Sequence, residues 1–220
     1  MKEVLIFDLD NCLAPATEVG AALYEPAFEA IRRANQGLLD SAALENAIAD
    51  CWQHALDWVA ARHGFSPAML QAGRDAFRKI EVTQPLHGYP DIEVVRNLPG
   101  HRQLVTTGFR RLQTSKIRAL GIESWFDGIH IDAIDEPDRI GKQGLFEQIL
   151  AAGRWRPRQA LVIGDNPESE LSAARRLGID AVQTLRPGVM RSDVANHHVT
   201  SLDQLHPLLV ASAQESEPKP

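Results

Sequence analysis

The sequence predicts an α/β protein, a doubly wound, Rossmann-like parallel sheet with an inserted α-helical cap domain. Three observations lead there. Short, almost continuous apolar runs recur along most of the chain, and all but the last are followed by a helical pattern. The interval 16–85 interrupts this alternation, with no strand signal and much Ala, Leu, Glu and Arg. Carboxylate, hydroxyl and glycine residues gather where the apolar runs stop, the edge at which open α/β sheets bind ligands.

The first run, "EVLIF" (3–7), has the character of a strand buried on both faces. The helical interval follows it almost at once, so it must emerge from that strand's carboxyl end. Within it, "SAALENAIADCWQHALDWVAARHG" reads as one helix opening at Ser41, with Glu45 shortly after. It carries Leu44, Ile48, Trp52, Ala55, Leu56 and Val59 on one face and closes at Gly64. "SPAMLQAGRDAFRKI" starts a second helix, with Ser66 as N-cap and Pro67 in the first helical position. The chain returns to the core near "HGYPDIEVVRNLPG". "RQLVTTG" (102–108) is the next strand, and the helix after it carries Leu112, Ile117 and Leu120 and stops at Gly121. "GIHIDAI" (128–134), "ALVIGD" (160–165) and "DAVQTL" (180–185) complete the predicted strands, with a helix closed by Gly178 between the last two. The expected layout is a core of residues 1–15 and 86–210, a cap of 16–85 and a disordered polar tail of 211–220. No internal repeat is evident.

Composition narrows the function. A net charge of −6 over 220 residues gives no electrostatic case for binding a nucleic-acid polymer. No run of roughly 18 apolar residues is present for a membrane span, and the N-terminus lacks the pattern of a secretory signal. A cytoplasmic protein is expected. Cys12 and Cys51 have no metal-type spacing and fit a reducing compartment without a structural disulfide.

The chemistry lies at the strand ends. Asp8 and Asp10 follow the first strand, Thr106, Thr107 and Gly108 end the second, and Gly164, Asp165 and Asn166 end the fourth. Asp8 and Asp10 are two residues apart, so in extended chain their side chains leave on the same side. Three carboxylates converging on one edge repel each other unless a cation neutralises them, and carboxylate oxygens with water are what Mg²⁺ prefers.

Taken together, "FDLDNCL", "LVTTG", the lysine of "GKQGLFEQIL" and "VIGDNPESE" resemble the four ordered motifs of the haloacid dehalogenase-like hydrolase superfamily. One large subgroup carries a helical cap between the first two motifs, as residues 16–85 would. The resemblance implies a Mg²⁺-dependent phosphatase that forms an aspartyl-phosphate. Asp8 would be the nucleophile and Asp10 the general acid and then base. Asp8, Asp165 and the backbone carbonyl of Asp10 would hold the metal. Thr106 would bond a phosphate oxygen, with Gly108 beside it. Thr107 stands where many relatives have asparagine, so only its backbone amide is expected to serve. Lys142 would offset the charge of Asp8 and phosphate, with Lys116 as its rival. Glu170 replaces the family's usual final aspartate and, with Asn166, would support the metal site from behind by bonding a metal-bound water or Lys142. Glu168 suits a helix N-terminus.

The resemblance therefore implies hydrolysis of a small phosphomonoester, since a closing cap would exclude polymers. A phosphomutase of the same superfamily and a non-catalytic phosphate-ligand-binding protein are the alternatives. A haloacid dehalogenase needs neither a metal nor an acid at position 10. Cys12 reads as an inert buried thiol, Trp52 and Trp58 as packing residues, and His197 with His198 as an unlikely metal pair because adjacent side chains diverge. The sequence is compatible with a monomer or a homodimer.

Overall fold

The protein, a computed structural model, is described over residues 2–214. Six strands form one all-parallel sheet in the order β3-β2-β1-β4-β5-β6. They are β1 Val4–Phe7, β2 His101–Gly108, β3 Gly128–Ala133, β4 Ala160–Gly164, β5 Asp180–Thr184 and β6 His197–Val199. The order reverses between β1 and β4, and in such sheets the crevice beyond that switch point receives ligands. Phe7 is level with Leu104 on one side and Ile163 on the other. The chain leaving β1 at Asp8 therefore emerges beside the end of β4.

Both faces of the central strands are covered, which is why β1 and β4 read as unbroken apolar runs. Leu5, Phe7, Leu104 and Ile163 pack on one face against Val95, Ile117 and Leu202. Val4, Ile6, Val105 and Val162 pack on the other against Phe146, Ile149 and Leu171.

The helical insertion contains α1 Ala21–Ala34, α2 Ser41–Asp50, α3 Leu56–His63 and α4 Pro67–Phe77. It has its own apolar core around Phe28, Ile31, Met69 and Phe77, continued into the sheet domain by Phe109, Leu112 and Ile134. Ser66 caps α4 as expected, its hydroxyl accepting from Met69 N at 3.2 Å. The remaining helices are α5 Arg110–Leu120, α6 Gly141–Gly153, α7 Glu170–Leu177 and α8 Leu205–Gln214.

Three sequence expectations are corrected. The helix expected to begin at Ser41 and run to Gly64 is two helices, broken at 51–55, and its N-cap is Asp40, whose carboxylate accepts from Ala43 N at 2.8 Å. At the break the Trp52 and Gln53 carbonyls accept hydrogen bonds from Asn11 and Asn166 of the sheet domain. Strand β6 was not anticipated; its three residues are too short for a periodic signal. His198 on it bonds Ser192 O at 2.8 Å, and its neighbour His197 is exposed. Residues 211–214 of the expected disordered tail continue α8, which Leu205 and Leu209 anchor in the core; 215–220 lie outside the described residues.

Candidate active site

The site begins with the turn that ends β1. Asp8 N continues the ladder to Ile163 O at 2.9 Å, and Leu9 O then accepts from Leu13 N and Ala14 N at 2.9 and 3.1 Å. Asn11 takes a left-handed conformation (φ 58°) that asparagine tolerates well. Its side-chain oxygen accepts from Ala16 N at 3.1 Å, closing the turn. Leu9 is fully buried in the core, while Asp8 and Asp10 both line the cavity above the sheet.

Around Asp8 the charges are dense and buried. Lys142, from the first turn of α6, donates to Asp8 Oδ1 at 2.8 Å and to Glu170 Oε2 at 2.7 Å. Burial opposes the Lys142 ammonium, and the two carboxylates more than offset it, leaving its pKa above the ordinary lysine value. Asp8, Asp165 and Glu170 bring carboxylate oxygens within 4.8 Å of one another. Burial pushes the pKa of Asp8 up to about 7 against the pull of Lys142. Burial and the negative charges of Glu170 and Asp8 push Asp165 up to about 9. A single ammonium cannot satisfy three such acids, and an all-oxygen donor set of this kind fits a hard divalent cation. Glu170 reaches back with its other oxygen to Asn166 N at 2.7 Å, and Gly164 makes room for it: a methyl group there would overlap the Glu170 side chain.

Asp10 is paired separately. Lys116 of α5 donates to both of its oxygens, at 2.9 and 3.1 Å, and Gln113 Nε2 donates to Oδ2 at 2.9 Å. The same Gln113 amide donates to Thr106 Oγ1 at 2.6 Å and to Thr107 O at 3.2 Å. The Thr106 oxygen is thus an acceptor from Gln113, leaving its proton free to donate to an anion. The Thr107 hydroxyl turns away to Asp132 Oδ2 at 3.1 Å. Asp132 also accepts from Gly141 N at 3.0 Å, fixing the start of α6 and so the root of Lys142.

The insertion closes over these groups, leaving a cavity of about 570 Å³. Its loop 51–55 is held mainly through backbone: Asn11 Nδ2 donates to Trp52 O and Asn166 Nδ2 to Gln53 O, each at 3.3 Å, and Asn166 Nδ2 also lies 3.5 Å from His54 Nδ1. Arg139 spans the two domains, donating to Asp132 at 2.9 and 2.7 Å and to Asp57 of α3. Trp52 stacks on Tyr24 and Trp58 on His54, and all four line the cavity. Cys12 is fully buried beneath the turn, its thiol pushed well above its ordinary pKa by burial.

A family model described as haloacid dehalogenase-like hydrolase matches residues 2–178. The chain belongs to the haloacid dehalogenase-like hydrolases. Solved structures of similar fold include a HAD phosphatase from Thermococcus onnurineus, at 20% identity and a TM-score of 0.64, covering 95% of this chain and 98% of that one. The HAD-hydrolase YfnB of Bacillus subtilis, solved with magnesium bound, is similar at 15% identity and a TM-score of 0.61, over 94% and 98% of the two chains. A Thermotoga maritima protein described as a β-phosphoglucomutase aligns at 18% identity and a TM-score of 0.56, over 95% and 99%. At these identities the likeness is one of fold. A search of curated proteins finds no significant match.

In this haloacid dehalogenase-like hydrolase the structure brings Asp8, Asp10, Thr106, Lys142, Asp165 and Glu170 to one end of the sheet. Asn166 departs from its expected place behind the metal site: its side chain faces the insertion, and only its backbone N–H supports Glu170. Gly108 lines the cavity against the Gln113 side chain. Sequence reasoning missed Gln113, Asp132 and Arg139. The one available signal was their position, since each lies within a helical turn or two of a strand end.

Proposed function

We propose that this hydrolase is a Mg²⁺-dependent phosphatase acting on a small phosphomonoester through an aspartyl-phosphate on Asp8. The observation that carries the reading is that the two aspartates stand in different surroundings, Asp8 buried with Lys142, Asp165 and Glu170, and Asp10 partly exposed and paired with Lys116 and Gln113. In this reading Asp8, Asp165 and the Asp10 carbonyl hold the ion, with Glu170 supporting them. When bound, Mg²⁺ would neutralise the clustered carboxylates and the phosphoryl oxygens they face.

The side chains account for the remaining steps. A carboxylate oxygen of Asp8 forms a bond to phosphorus as the ester P–O bond breaks, and Asp10 passes its proton to the departing alkoxide. Asp10 then takes a proton from water, whose oxygen attacks phosphorus, releasing phosphate and restoring Asp8. Thr106 donates to a phosphoryl oxygen, and Lys142 offsets charge on Asp8 as it changes. The cavity, roofed by the insertion, favours a small metabolite over a polymer. Two unpaired thiols accord with a cytoplasmic enzyme, and no helix among the described residues is long and apolar enough to cross a membrane. A monomer or a homodimer would serve equally.

A phosphomutase is the second reading, favoured by the same residue set and by the fold shared with the Thermotoga protein. The deciding experiment measures inorganic phosphate released from a panel of phosphate esters, with Mg²⁺ or EDTA, for the wild type, Asp8→Asn and Asp10→Asn. Metal-dependent release lost in both variants supports the phosphatase. Isomerised ester without net phosphate release supports the mutase, and neither product would leave a binding protein.

A further inference from the structure

Lys116 has no place in the chemistry described so far. Lys142 already sits on Asp8, so a second lysine is not needed there, yet Lys116 is 4% exposed and its ammonium lies inside the site. An ammonium is not buried by default: lysine is almost never fully buried unless paired. Its partner is Asp10, both of whose oxygens it contacts, at 2.9 and 3.1 Å. On its other side is the Tyr24 ring of the insertion, with the ring centroid 5.8 Å away. Burial lowers the Lys116 pKa, and Asp10 and Tyr24 more than offset that, keeping the charge in place.

We infer that Lys116 is a positioning residue for Asp10, fixing the carboxylate on the leaving-group side of the cavity. Asp10 sits on a turn and its side chain is 25% exposed, so the turn alone does not fix its rotamer. Straddling both oxygens restrains the plane of the carboxylate as well as its distance. Gln113, one helical turn before Lys116, bonds Oδ2 from a second direction and ties Asp10 to Thr106. Two lysines are thus divided between two aspartates: Lys142 serves the one that would bond phosphorus, Lys116 the one that would move protons. The inference rests on the phosphatase reading for its kinetic consequence, and on geometry alone for the hold on Asp10.

The test uses the full chain carrying Lys116→Met, which nearly keeps the side chain's length and removes its charge. Its kcat/KM, which reports the steps up to loss of the leaving group and not the shared hydrolysis of the aspartyl-phosphate, is compared with the wild type on 4-nitrophenyl phosphate, whose leaving group departs without a proton, and on ethyl phosphate or another simple alkyl ester, whose leaving group requires one. General acid catalysis is commonly worth about 10²- to 10⁴-fold. The alkyl ester is therefore expected to lose at least about tenfold more rate than the aryl ester. Because this is a ratio within one sample, partial misfolding does not alter it. Equal losses on the two esters would overturn the inference. A crystal structure of the variant gives an answer independent of turnover: Asp10 displaced from its present position is expected, and Asp10 unmoved overturns the inference. Wild-type protein that hydrolyses neither ester would instead count against the phosphatase reading, with the crystallographic arm still deciding the role of Lys116.

Discussion

Lys142 Nζ lies 2.8 Å from Asp8 Oδ1 although 134 residues separate them. The same ammonium holds Glu170, so one side chain restrains two buried acids that would otherwise repel each other. Lys142→Met should lower phosphate release by roughly 10²- to 10³-fold, the scale on which a single charge-stabilising group acts. It should also destabilise the metal-free fold by about 3–5 kcal/mol, since both acids lose their cation. Urea unfolding in EDTA checks the second figure, and an unchanged midpoint would show that Lys142 is not compensating these acids.

The raised pKa values of Asp8 and Asp165 have a signed consequence. At these two carboxyls the folded protein without metal holds more protons than the unfolded chain from about pH 4 to about pH 9, so their contribution to its stability falls as pH rises through that window. Cation binding requires the carboxylates, so the stabilisation given by Mg²⁺ should grow over the same range. Thermal melts at pH 5, 7 and 9, each with EDTA and with Mg²⁺, measure both slopes. Curves that stay parallel across pH would contradict the cluster as the metal site.

Arg139 offers a contrast between its two partners. Asp57 is 28% exposed at the side chain and Asp132 only 1%. Asp57→Ala should cost about 1 kcal/mol or less, as solvated pairs do, while hydrogen exchange rises in α3 and the 51–55 loop. Arg139→Ala should cost about 3 kcal/mol, because it strands a buried carboxylate. Equal melting shifts for the two variants would refute the asymmetry.

Gly164→Ala tests the close approach of β4 to Glu170. An overpacked core residue typically costs 1–3 kcal/mol; here the displaced group is the partner of Lys142. Activity should fall by about tenfold or more, consistent with loss of a preorganised charge, with the circular dichroism spectrum retained. Full activity would mean that Glu170 can move without consequence.

Five of the six strands were legible: burial on both sheet faces writes a continuous apolar run into β1 and β4, and β2, β3 and β5 carry shorter apolar stretches among polar residues. The clustered acids were legible because their positions at strand ends needed only the order of the elements. What stayed hidden was tertiary. The apolar face from Leu44 to Val59 is continuous at helical spacing, and nothing in it signals the break at 51–55, where Asn11 and Asn166 bond the main chain. Lys116 and Lys142 were rivals for one role in the sequence; only the folded geometry gives each its own aspartate. Asn166 was expected beside Glu170 as support for the metal site, yet its side-chain amide donates to Gln53 O of the insertion.

Two of the three asparagine contacts to that loop are made to the main-chain oxygens of Trp52 and Gln53, the third being to the His54 ring. Every amino acid offers such an oxygen. The side chains at 52 and 53 can therefore be exchanged while these two hydrogen bonds to the sheet domain persist. What faces the cavity at 52 and 53 and what seats the loop are thus carried by different atoms of the same residues.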